Sequence, residues 1–115
     1  MLFVEYPKCT TCQRAKKFLD EHGAQYEDRH IKENNPTKEE LLTWWKESGL
    51  PLKKFFNTSG LLYKSMNLKE KLPELTEEEQ LELLAGDGML VKRPILVGED
   101  FVLVGFKEAE WEQHL

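Results

Sequence analysis

Cys9-Thr10-Thr11-Cys12 holds both cysteines of this chain, and the residues on either side of it decide the fold. An apolar run over residues 2–6 precedes the stretch, and residues 13–19 follow it with the composition of a helix. We therefore predict a strand, a tight turn and a helix that starts at the cysteines. The free N–H groups and the positive end of a helix dipole favour a thiolate there, and the thiolate is the reactive form of cysteine. Redox chemistry is therefore the first function that we predict for the two cysteines.

The cysteine pair has two alternative interpretations, of which structural zinc is the weaker. Structural zinc normally requires four ligands, but the chain has no second CxxC, and His22, His30 and His114 show no ligand spacing, so no metal site is predicted. Two buried and unreactive cysteines are the other alternative. Under the redox interpretation, Cys9 is nearer the loop and attacks, whereas Cys12 lies one turn into the helix and resolves the mixed disulfide.

Length and charge limit the classes of protein to which this chain can belong. Its 115 residues are expected to form one domain, 1–115, long enough to bury a core without disulfide staples. The net charge of −5 argues against a broad nucleic-acid-binding face. No apolar stretch approaches the roughly 20 residues that span a bilayer, and the first residues lack the pattern of a secretory signal. We expect a cytoplasmic monomer without direct contact to nucleic acid or membrane.

The order of the predicted elements divides the chain into three parts. The first part is β-α-β, in which Gly23 sits where a left-handed residue would end the helix and residues 26–31 form the second strand. A helical insertion over approximately 36–88 follows. The last part has two apolar runs within 94–104, separated by a Gly-containing turn that predicts a β-hairpin, and a closing helix over 107–114.

Local signals predict where the helices of the insertion begin. Asn35 is a candidate cap with Pro36 in the first turn, and Thr37 is the alternative because it can form a capping box with Glu40. A second capping box begins at Thr76. Both signals favour amphipathic helices that cover a core.

This element order is that of the thioredoxin fold, with CxxC at the first β–α junction. Strands separated by a helix favour parallel pairing, and the hairpin adds antiparallel strands. We therefore predict an α/β (α+β), thioredoxin-like fold, in which a mixed four-stranded sheet carries a helical insertion between its βαβ and ββα halves.

Basic residues near the cysteine pair are candidates for lowering a thiol pKa. Lys8 adjoins the expected nucleophile Cys9, and Arg14 follows in the helix. Lys16 and Lys17 are explained more simply as solvated helix residues. Lys8 is therefore the stronger candidate for an anion-binding group beside Cys9.

Four motifs follow one another along the chain in a specific order. They are Tyr6-Pro7-Lys8-Cys9-Thr10-Thr11-Cys12, Phe56-Asn57-Thr58-Ser59-Gly60, Lys92-Arg93-Pro94-Ile95-Leu96 and Val104-Gly105-Phe106. Together they resemble the arsenate reductase (ArsC) and Spx family of thioredoxin-like proteins over nearly the whole chain, and most closely its reductase-like branch. The resemblance implies a thioredoxin fold with a helical insert and a catalytic cysteine at Cys9.

The resemblance also implies roles for the two residues that precede the third strand. In thioredoxin folds a proline at this place is usually in a cis peptide and packs beside the redox cysteine, which implies a cis Arg93–Pro94 bond. Local sequence favours trans, because only about 5–6% of X–Pro bonds in folded proteins are cis. Arg93 would then lie near Cys9 as an anion-binding group, with Pro94 beside the thiol. The alternative is a surface arginine paired with an acidic residue.

The chain departs from the arsenate reductases at the arginines that the family uses for its oxyanion. Of three such arginines only Arg93 is present, because Ser59 ends the Asn-Thr-Arg motif and no arginine lies around Gly105. Each lost charge-assisted hydrogen bond is worth roughly 1.5–3 kcal/mol. We expect weak arsenate binding and a site better suited to a monoanion or a glutathione carboxylate. Cys12 is an addition that Spx-type regulators share.

Two functions from different classes remain. The first is a thiol-dependent oxidoreductase of the arsenate reductase family that acts on a small thiol or oxyanion substrate. It would hold no bound cofactor and take electrons from glutathione or thioredoxin, with glutaredoxin or thioredoxin as partner. The second is an Spx-like redox-sensing regulator that binds RNA polymerase. The enzyme predicts a pocket around Cys9 and Arg93, whereas the regulator predicts a protein-binding patch and no turnover.

Overall fold

One mixed four-stranded sheet organises the protein, of which the computed structural model describes residues 1–115. Its strands are β1 (Leu2–Glu5), β2 (Glu27–His30), β3 (Ile95–Val97) and β4 (Val102–Val104), and their spatial order is β2-β1-β3-β4. β2 runs parallel to β1, whereas β3 is antiparallel to both β1 and β4. The predicted mixed sheet and its hairpin are confirmed.

Helices cover both faces of this sheet because successive strand residues point to opposite sides. Phe3 packs with α1 (Thr10–Glu21) and α6 (Glu108–Glu112) in one buried cluster that is completed by Trp111. Its neighbour Val4 belongs to the second and larger cluster, on the side of the insertion. α1 ends at His22, and Gly23 follows with φ +65°, as predicted for a left-handed stop.

The segment between β2 and β3 consists mainly of helices joined by short loops. It contains α2 (Lys38–Ser48), α3 (Leu61–Ser65), α4 (Leu68–Lys71) and α5 (Glu77–Gly86). Three short 3₁₀ turns lie between and after these helices, at Leu52–Phe55, Leu72–Glu74 and Gly88–Leu90. This segment corresponds to the insertion predicted over approximately 36–88.

Capping boxes begin the two longest helices of the insertion. Thr37 accepts from the Glu40 backbone N–H at 3.1 Å while the Glu40 carboxylate accepts from the Thr37 N–H at 3.0 Å. Thr76 and Glu79 repeat the arrangement at α5. Thr37 is thus the cap of α2, and Asn35 instead donates from its side chain to the Ala85 carbonyl at 2.6 Å.

Sheet, α1, the helical segment and a C-terminal hairpin with α6 together give the thioredoxin-like α/β fold that the element order predicts. No helix in the chain is both long enough and apolar enough to cross a bilayer. The β1–α1 junction and the residue before β3 lie side by side in this topology, because β1 and β3 are neighbours in the sheet.

Candidate active site

Cys9 is the N-cap residue of α1. Its backbone is extended (φ −85°, ψ 122°), and its carbonyl accepts the Gln13 N–H at 3.0 Å. The Cys9 N–H donates to the Tyr6 carbonyl at 2.9 Å, which closes the turn between β1 and the helix. Cys9 is half-buried and Cys12, one turn further on, is only 1% exposed, and both are free thiols. The sequence prediction placed both cysteines correctly.

The pKa of the Cys9 thiol is lowered below its ordinary value. Burial acts in the opposite direction and would raise the pKa, but four favourable interactions outweigh it. The Cys12 backbone N–H and the Cys12 thiol interact with the Cys9 sulfur as hydrogen-bond donors, and so does the Arg93 guanidinium, whose positive charge also favours the thiolate. Cys9 therefore has more thiolate at neutral pH than a free cysteine.

The pKa of Cys12 moves in the other direction. Burial is the largest cause, and the hydrogen bond to Cys9 and the negative charges of Cys9 and Glu5 add to it, against a backbone hydrogen bond at Tyr6 that lowers the pKa. The net effect raises the pKa of Cys12 to about 12. The two thiols thus have the predicted order of pKa values, with Cys12 protonated while Cys9 titrates.

Arg93, the cation that acts on the Cys9 thiol, lies two residues before β3. The Arg93–Pro94 peptide is cis, as the resemblance implied. The guanidinium stacks over the Tyr6 ring with 5.1 Å from its carbon to the ring centroid. Arg93 takes part in none of the ion pairs of the structure, so the alternative of a surface arginine paired with an acid is wrong.

Two of the three Arg93 guanidinium nitrogens have no hydrogen-bond partner. Nε and Nη1 are both buried, and neither has an acceptor within bonding distance. Buried polar groups in folded proteins are nearly always hydrogen-bonded, so an exception calls for an explanation. An anionic acceptor that is bound only during function would supply the missing partner.

Backbone pairing brings a loop of the insertion to the residues that precede β3. Phe56 and Val91 form an isolated antiparallel bridge, in which the Lys92 N–H donates to the Phe55 carbonyl at 2.7 Å. The Asn57 N–H donates to the Leu90 carbonyl, also at 2.7 Å. Residues 57–59 are thereby held next to Arg93.

Gly105 forms the other wall of the site. Its φ of +77° is a left-handed conformation that favours glycine. Its N–H donates to the Pro94 carbonyl at 2.8 Å, and its own carbonyl accepts the Trp111 indole N–H at 3.0 Å. The turn after β4 is therefore fixed between Pro94 and the buried Trp111 of α6.

These walls enclose a cleft of about 1050 Å³ with Cys9 and Arg93 in its lining. Basic residues dominate its charged groups, and Glu110 is its one acidic residue. We call this cleft, with its seven basic residues, the basic cleft; they are Arg14, Lys53, Lys54, Lys69, Lys92, Arg93 and Lys107. Seven of the chain's 16 lysines and arginines thus line one cleft, against one of its 21 acidic residues.

The basic cleft includes some predicted site residues and excludes others. Cys9, Arg93 and Arg14 line it, but Lys8 is exposed and lies outside its lining, so the cation beside Cys9 is Arg93. Pro94 is buried and contributes its carbonyl to the Gly105 N–H rather than a surface to the cleft. Lys8 is not among the groups that shift the Cys9 pKa, and its role as an anion-binding group beside Cys9 stays a prediction.

Sequence reasoning missed most of the cations of the basic cleft. Lys53 and Lys54 directly precede the Phe56-Asn57-Thr58 motif, which was the available signal. Lys69 in α4 and Lys107 before α6 carry no local signal, because only the folded chain brings them to one cleft.

A second and smaller cavity lies beneath Cys12. It has about 230 Å³ and is lined by Glu5, Lys16 and Asp28 as well as Cys12. Burial and a hydrogen bond and like charge from Asp28 raise the pKa of the Glu5 carboxyl to about 7, although Lys16 acts against this. Its Oε1 is buried without a partner. No group of three or more His, Cys, Asp or Glu side chains is placed to hold a metal ion.

The chain is similar to known proteins in both sequence and structure. The model of the ArsC family matches residues 4–114. A crystal structure of an ArsC-family related protein from Bacteroides fragilis superposes with a TM-score of 0.95 at 60% identity, covering 97% of this chain and 94% of that one.

Two relatives with different descriptions match over most of their length. YusI, an uncharacterised protein of Bacillus subtilis, is 55% identical over 99% of this chain and 97% of its own. The global transcriptional regulator Spx of Enterococcus faecalis is 31% identical over 95% of this chain and 81% of its own. An uncharacterised protein and a transcriptional regulator thus both match nearly the whole of this chain.

Proposed function

This chain belongs to the ArsC family, and we propose that it is a thiol-dependent oxidoreductase with Cys9 as nucleophile and Cys12 as resolving thiol. One observation carries the proposal. The Cys9 sulfur sits at the N-terminus of α1 beside Arg93 with a lowered pKa, while the Cys12 thiol beneath it stays protonated. A thiolate next to a protonated thiol is the arrangement that a two-step thiol–disulfide exchange needs.

The reaction begins with attack of the Cys9 thiolate on a sulfur of an oxidised thiol. A bond forms between the Cys9 sulfur and one half of the substrate, and the other half leaves as a thiolate. Arg93 and the Cys12 N–H stabilise the negative charge on Cys9 before attack.

Cys12 then completes the exchange. Once Cys9 is in a mixed disulfide it carries no charge, so one of the interactions that raise the pKa of Cys12 is gone. Cys12 loses its proton, attacks the Cys9 sulfur and releases the second half of the substrate. The protein is oxidised by two electrons to a Cys9–Cys12 disulfide, and the substrate is reduced to two thiols.

Glutathione or thioredoxin is the electron donor in this proposal. Either supplies thiols that reduce the Cys9–Cys12 disulfide by the reverse exchange, with glutaredoxin or thioredoxin as the contacting partner. No resident cofactor is required, because sulfur carries the electrons throughout.

Reactivity and turnover together test the proposal. Alkylation of the reduced protein across a pH series, read by mass spectrometry, should label Cys9 first and at lower pH than Cys12. Purified protein with the glutathione–glutaredoxin and thioredoxin systems should then reduce a small mixed disulfide. Cys9→Ser should abolish turnover, and Cys12→Ser should trap the mixed disulfide. Faster labelling of Cys12 below neutral pH, or no turnover with either donor, would reject the assignment.

A redox-responsive regulator that binds RNA polymerase is the second candidate, and the similarity to Spx favours it. In that case the Cys9–Cys12 disulfide changes the affinity for the polymerase and no catalytic cycle follows. A pull-down with purified RNA polymerase, using reduced and oxidised protein in parallel, distinguishes the two. Polymerase retained by one redox form, together with no turnover, would favour the regulator.

A further inference from the structure

The basic cleft is the feature of this protein that the proposed exchange between Cys9 and Cys12 leaves unexplained. Thiolate activation uses only Arg93 among the seven cations. The other six lie around the rest of a 1050 Å³ cleft in a chain whose net charge is −5. Such a concentration of one sign of charge creates a field that attracts ligands of the opposite sign.

The seven cations are also unpaired within the protein. The ion pairs of the structure use Lys16, Arg29 and Lys38, with His30 placed near Glu33, and none of them includes a residue of the basic cleft. The chain has 21 acidic residues available, yet only Glu110 reaches the cleft. Mutual repulsion among unpaired cations destabilises the protein unless an anion binds, so a stability role does not account for them.

The volume of the cleft indicates how large an anion it can bind. Pockets for drug-sized ligands and cofactors have volumes of about 300–1,000 Å³. The basic cleft reaches the upper end of that range, which is far more than a single tetrahedral oxyanion fills. Its cations are spread from Arg14 in α1 to Lys69 in α4. Several negative charges at different places on one ligand match this distribution.

We propose, building on the thiol-exchange function above, that the substrate is the disulfide of a polyanionic low-molecular-mass thiol. Its sulfur reaches Cys9, and its phosphate or carboxylate groups, remote from the sulfur, lie on the lysines of the basic cleft. The buried Nε and Nη1 of Arg93 take their acceptor from the same ligand. A thiol with several charges is favoured over the monoanion that Arg93 alone would suggest.

Coenzyme A disulfide is a suitable probe for this substrate class. The Cys9 thiolate attacks one of its sulfurs, so that a Cys9–coenzyme A bond forms and one coenzyme A leaves as thiolate. Cys12 then releases its proton to solvent, attacks the Cys9 sulfur and displaces the second coenzyme A as thiolate, which takes up a proton from solvent according to its own pKa. One disulfide is reduced by two electrons while the protein dithiol is oxidised, so a single turnover needs no further reductant.

Pantethine is the matched control substrate. It has the same disulfide and the same neighbouring groups as coenzyme A disulfide, but it lacks the phosphorylated nucleotide. Glutathione disulfide adds a comparison with fewer charges on each thiol. We expect the second-order rate constant for oxidation of the dithiol to be at least tenfold higher with coenzyme A disulfide than with pantethine at low ionic strength. Salt should reduce this advantage, because it screens exposed charges.

Variants test which lysines produce the preference. The double substitution Lys53→Gln with Lys69→Gln should lower the ratio of the rate constant with coenzyme A disulfide to that with pantethine at least fivefold. Lys17→Gln with Lys46→Gln is the control pair, because both lysines are exposed and lie outside the cleft. This pair makes the same change in net charge and should leave both rates unaltered.

The outcomes separate this inference from the proposed function. Equal rates with coenzyme A disulfide and pantethine, or equal effects of the two lysine pairs, would overturn the polyanion inference and leave the exchange chemistry intact. Failure of Cys9 to react with any of the three disulfides would overturn both. A preference for glutathione disulfide over coenzyme A disulfide would show that the cleft selects against multiple charges, which also contradicts the inference.

Discussion

At the scale of single residues, the reactivity of Cys9 depends on which cation reaches its sulfur. Lys8 adjoins Cys9 in sequence, but Arg93 interacts with the thiol across the sheet. Its planar guanidinium can donate to a sulfur and to a bound anion at the same time, which a lysine cannot do with comparable geometry. Arg93 is therefore expected to affect both the thiol and the ligand.

Substitution of Arg93 should raise the pKa of Cys9. Arg93→Gln removes a donor and a positive charge, both of which lower that pKa, so the thiolate should form at higher pH. The ultraviolet absorbance of the thiolate, followed during a pH titration, measures the effect. Arg14→Gln is the control, since Arg14 lines the cleft but is not among the groups that act on Cys9. An unchanged pKa in the Arg93 variant would contradict the assignment.

Glu5 should make the stability of the protein fall as the pH rises. Its carboxyl has a pKa of about 7 in the folded chain against an ordinary value of 4.5, so between these values the folded state holds a proton that the unfolded state has lost. Stability from this group is complete below about pH 4.5 and is lost as the pH rises through 7.

Glu5→Gln tests this directly by urea unfolding between pH 5 and 8. The variant should be more stable than the parent at pH 8 and should lose less stability across the series. Glu27→Gln is the control, because Glu27 is exposed on the neighbouring strand. A Glu5 variant that is less stable than the parent at pH 8 would contradict the prediction, and so would an equal loss of stability in variant and parent across the pH range, because Glu5 would then not contribute to the pH dependence.

At the scale of elements, one arginine joins the sheet to the insertion. Arg29 in β2 makes a bidentate pair with Glu40 in α2, at 2.6 and 2.9 Å, and donates to the carbonyls of Asn34 and Asn35. Its side chain is 12% exposed and lies over the Trp44 ring. The same Glu40 closes the capping box of α2, so one carboxylate serves both contacts.

Loss of Arg29 should destabilise the protein by about 2–4 kcal/mol, because Glu40 would be left partly buried without its main partner. Arg29→Ala, measured by denaturant unfolding at pH 7, tests this, and Arg29→Lys should recover only part of the loss. Hydrogen bonding from Arg29 is the first of the causes that lower the pKa of Glu40 to about 2. The difference between parent and variant should therefore shrink as the pH falls from about 4.5 towards 2.

Lys38→Gln is the matched control for this pair. Lys38 in α2 contacts Glu78 and Glu82 in α5, within the insertion and on the exposed surface, where ion pairs contribute little. Its substitution should leave the unfolding midpoint nearly unchanged. Equal losses of stability in Lys38→Gln and Arg29→Ala would show that the bidentate geometry of the Arg29–Glu40 pair adds no stability.

Local sequence signals were sufficient to predict where helices begin and end. The residues that line the candidate site could not be predicted in this way, because pairing between distant segments brings them together. The capping boxes at Thr37 and Thr76 and the stop at Gly23 depend on residues within one helical turn, so the sequence predicted them. The bridge between Phe56 and Val91 joins segments 35 residues apart in the chain, and it is what carries the insertion's lysines to Arg93. The raised pKa of Glu5 was missed for a similar reason, because Asp28, which contributes to it, is brought beside Glu5 by the pairing of β2 with β1.

At the scale of the whole molecule, an acidic protein presents a cleft of opposite charge beside Cys9. The fold achieves this because four separate parts of the chain meet there: the β1–α1 junction, the insertion with its loop around Asn57, the residues Lys92 and Arg93 before β3, and the turn at Gly105. The cations lie around a large cleft rather than converging on one point. Such an arrangement suits an extended anion better than a compact oxyanion.

Arsenate should therefore bind weakly, and one substitution in the cleft should improve its binding. Ser59 lines the cleft. It stands at the position where the Asn-Thr-Arg motif of the arsenate reductases that this chain resembles has its arginine. Ser59→Arg should tighten arsenate binding about tenfold or more, because one added charge-assisted hydrogen bond is worth roughly 1.5–3 kcal/mol. Calorimetry on the reduced protein measures this, with Ser59→Gln as a control of similar length without charge. Tight arsenate binding by the parent protein, unimproved by Ser59→Arg, would show that the lysines already replace the family's missing arginines.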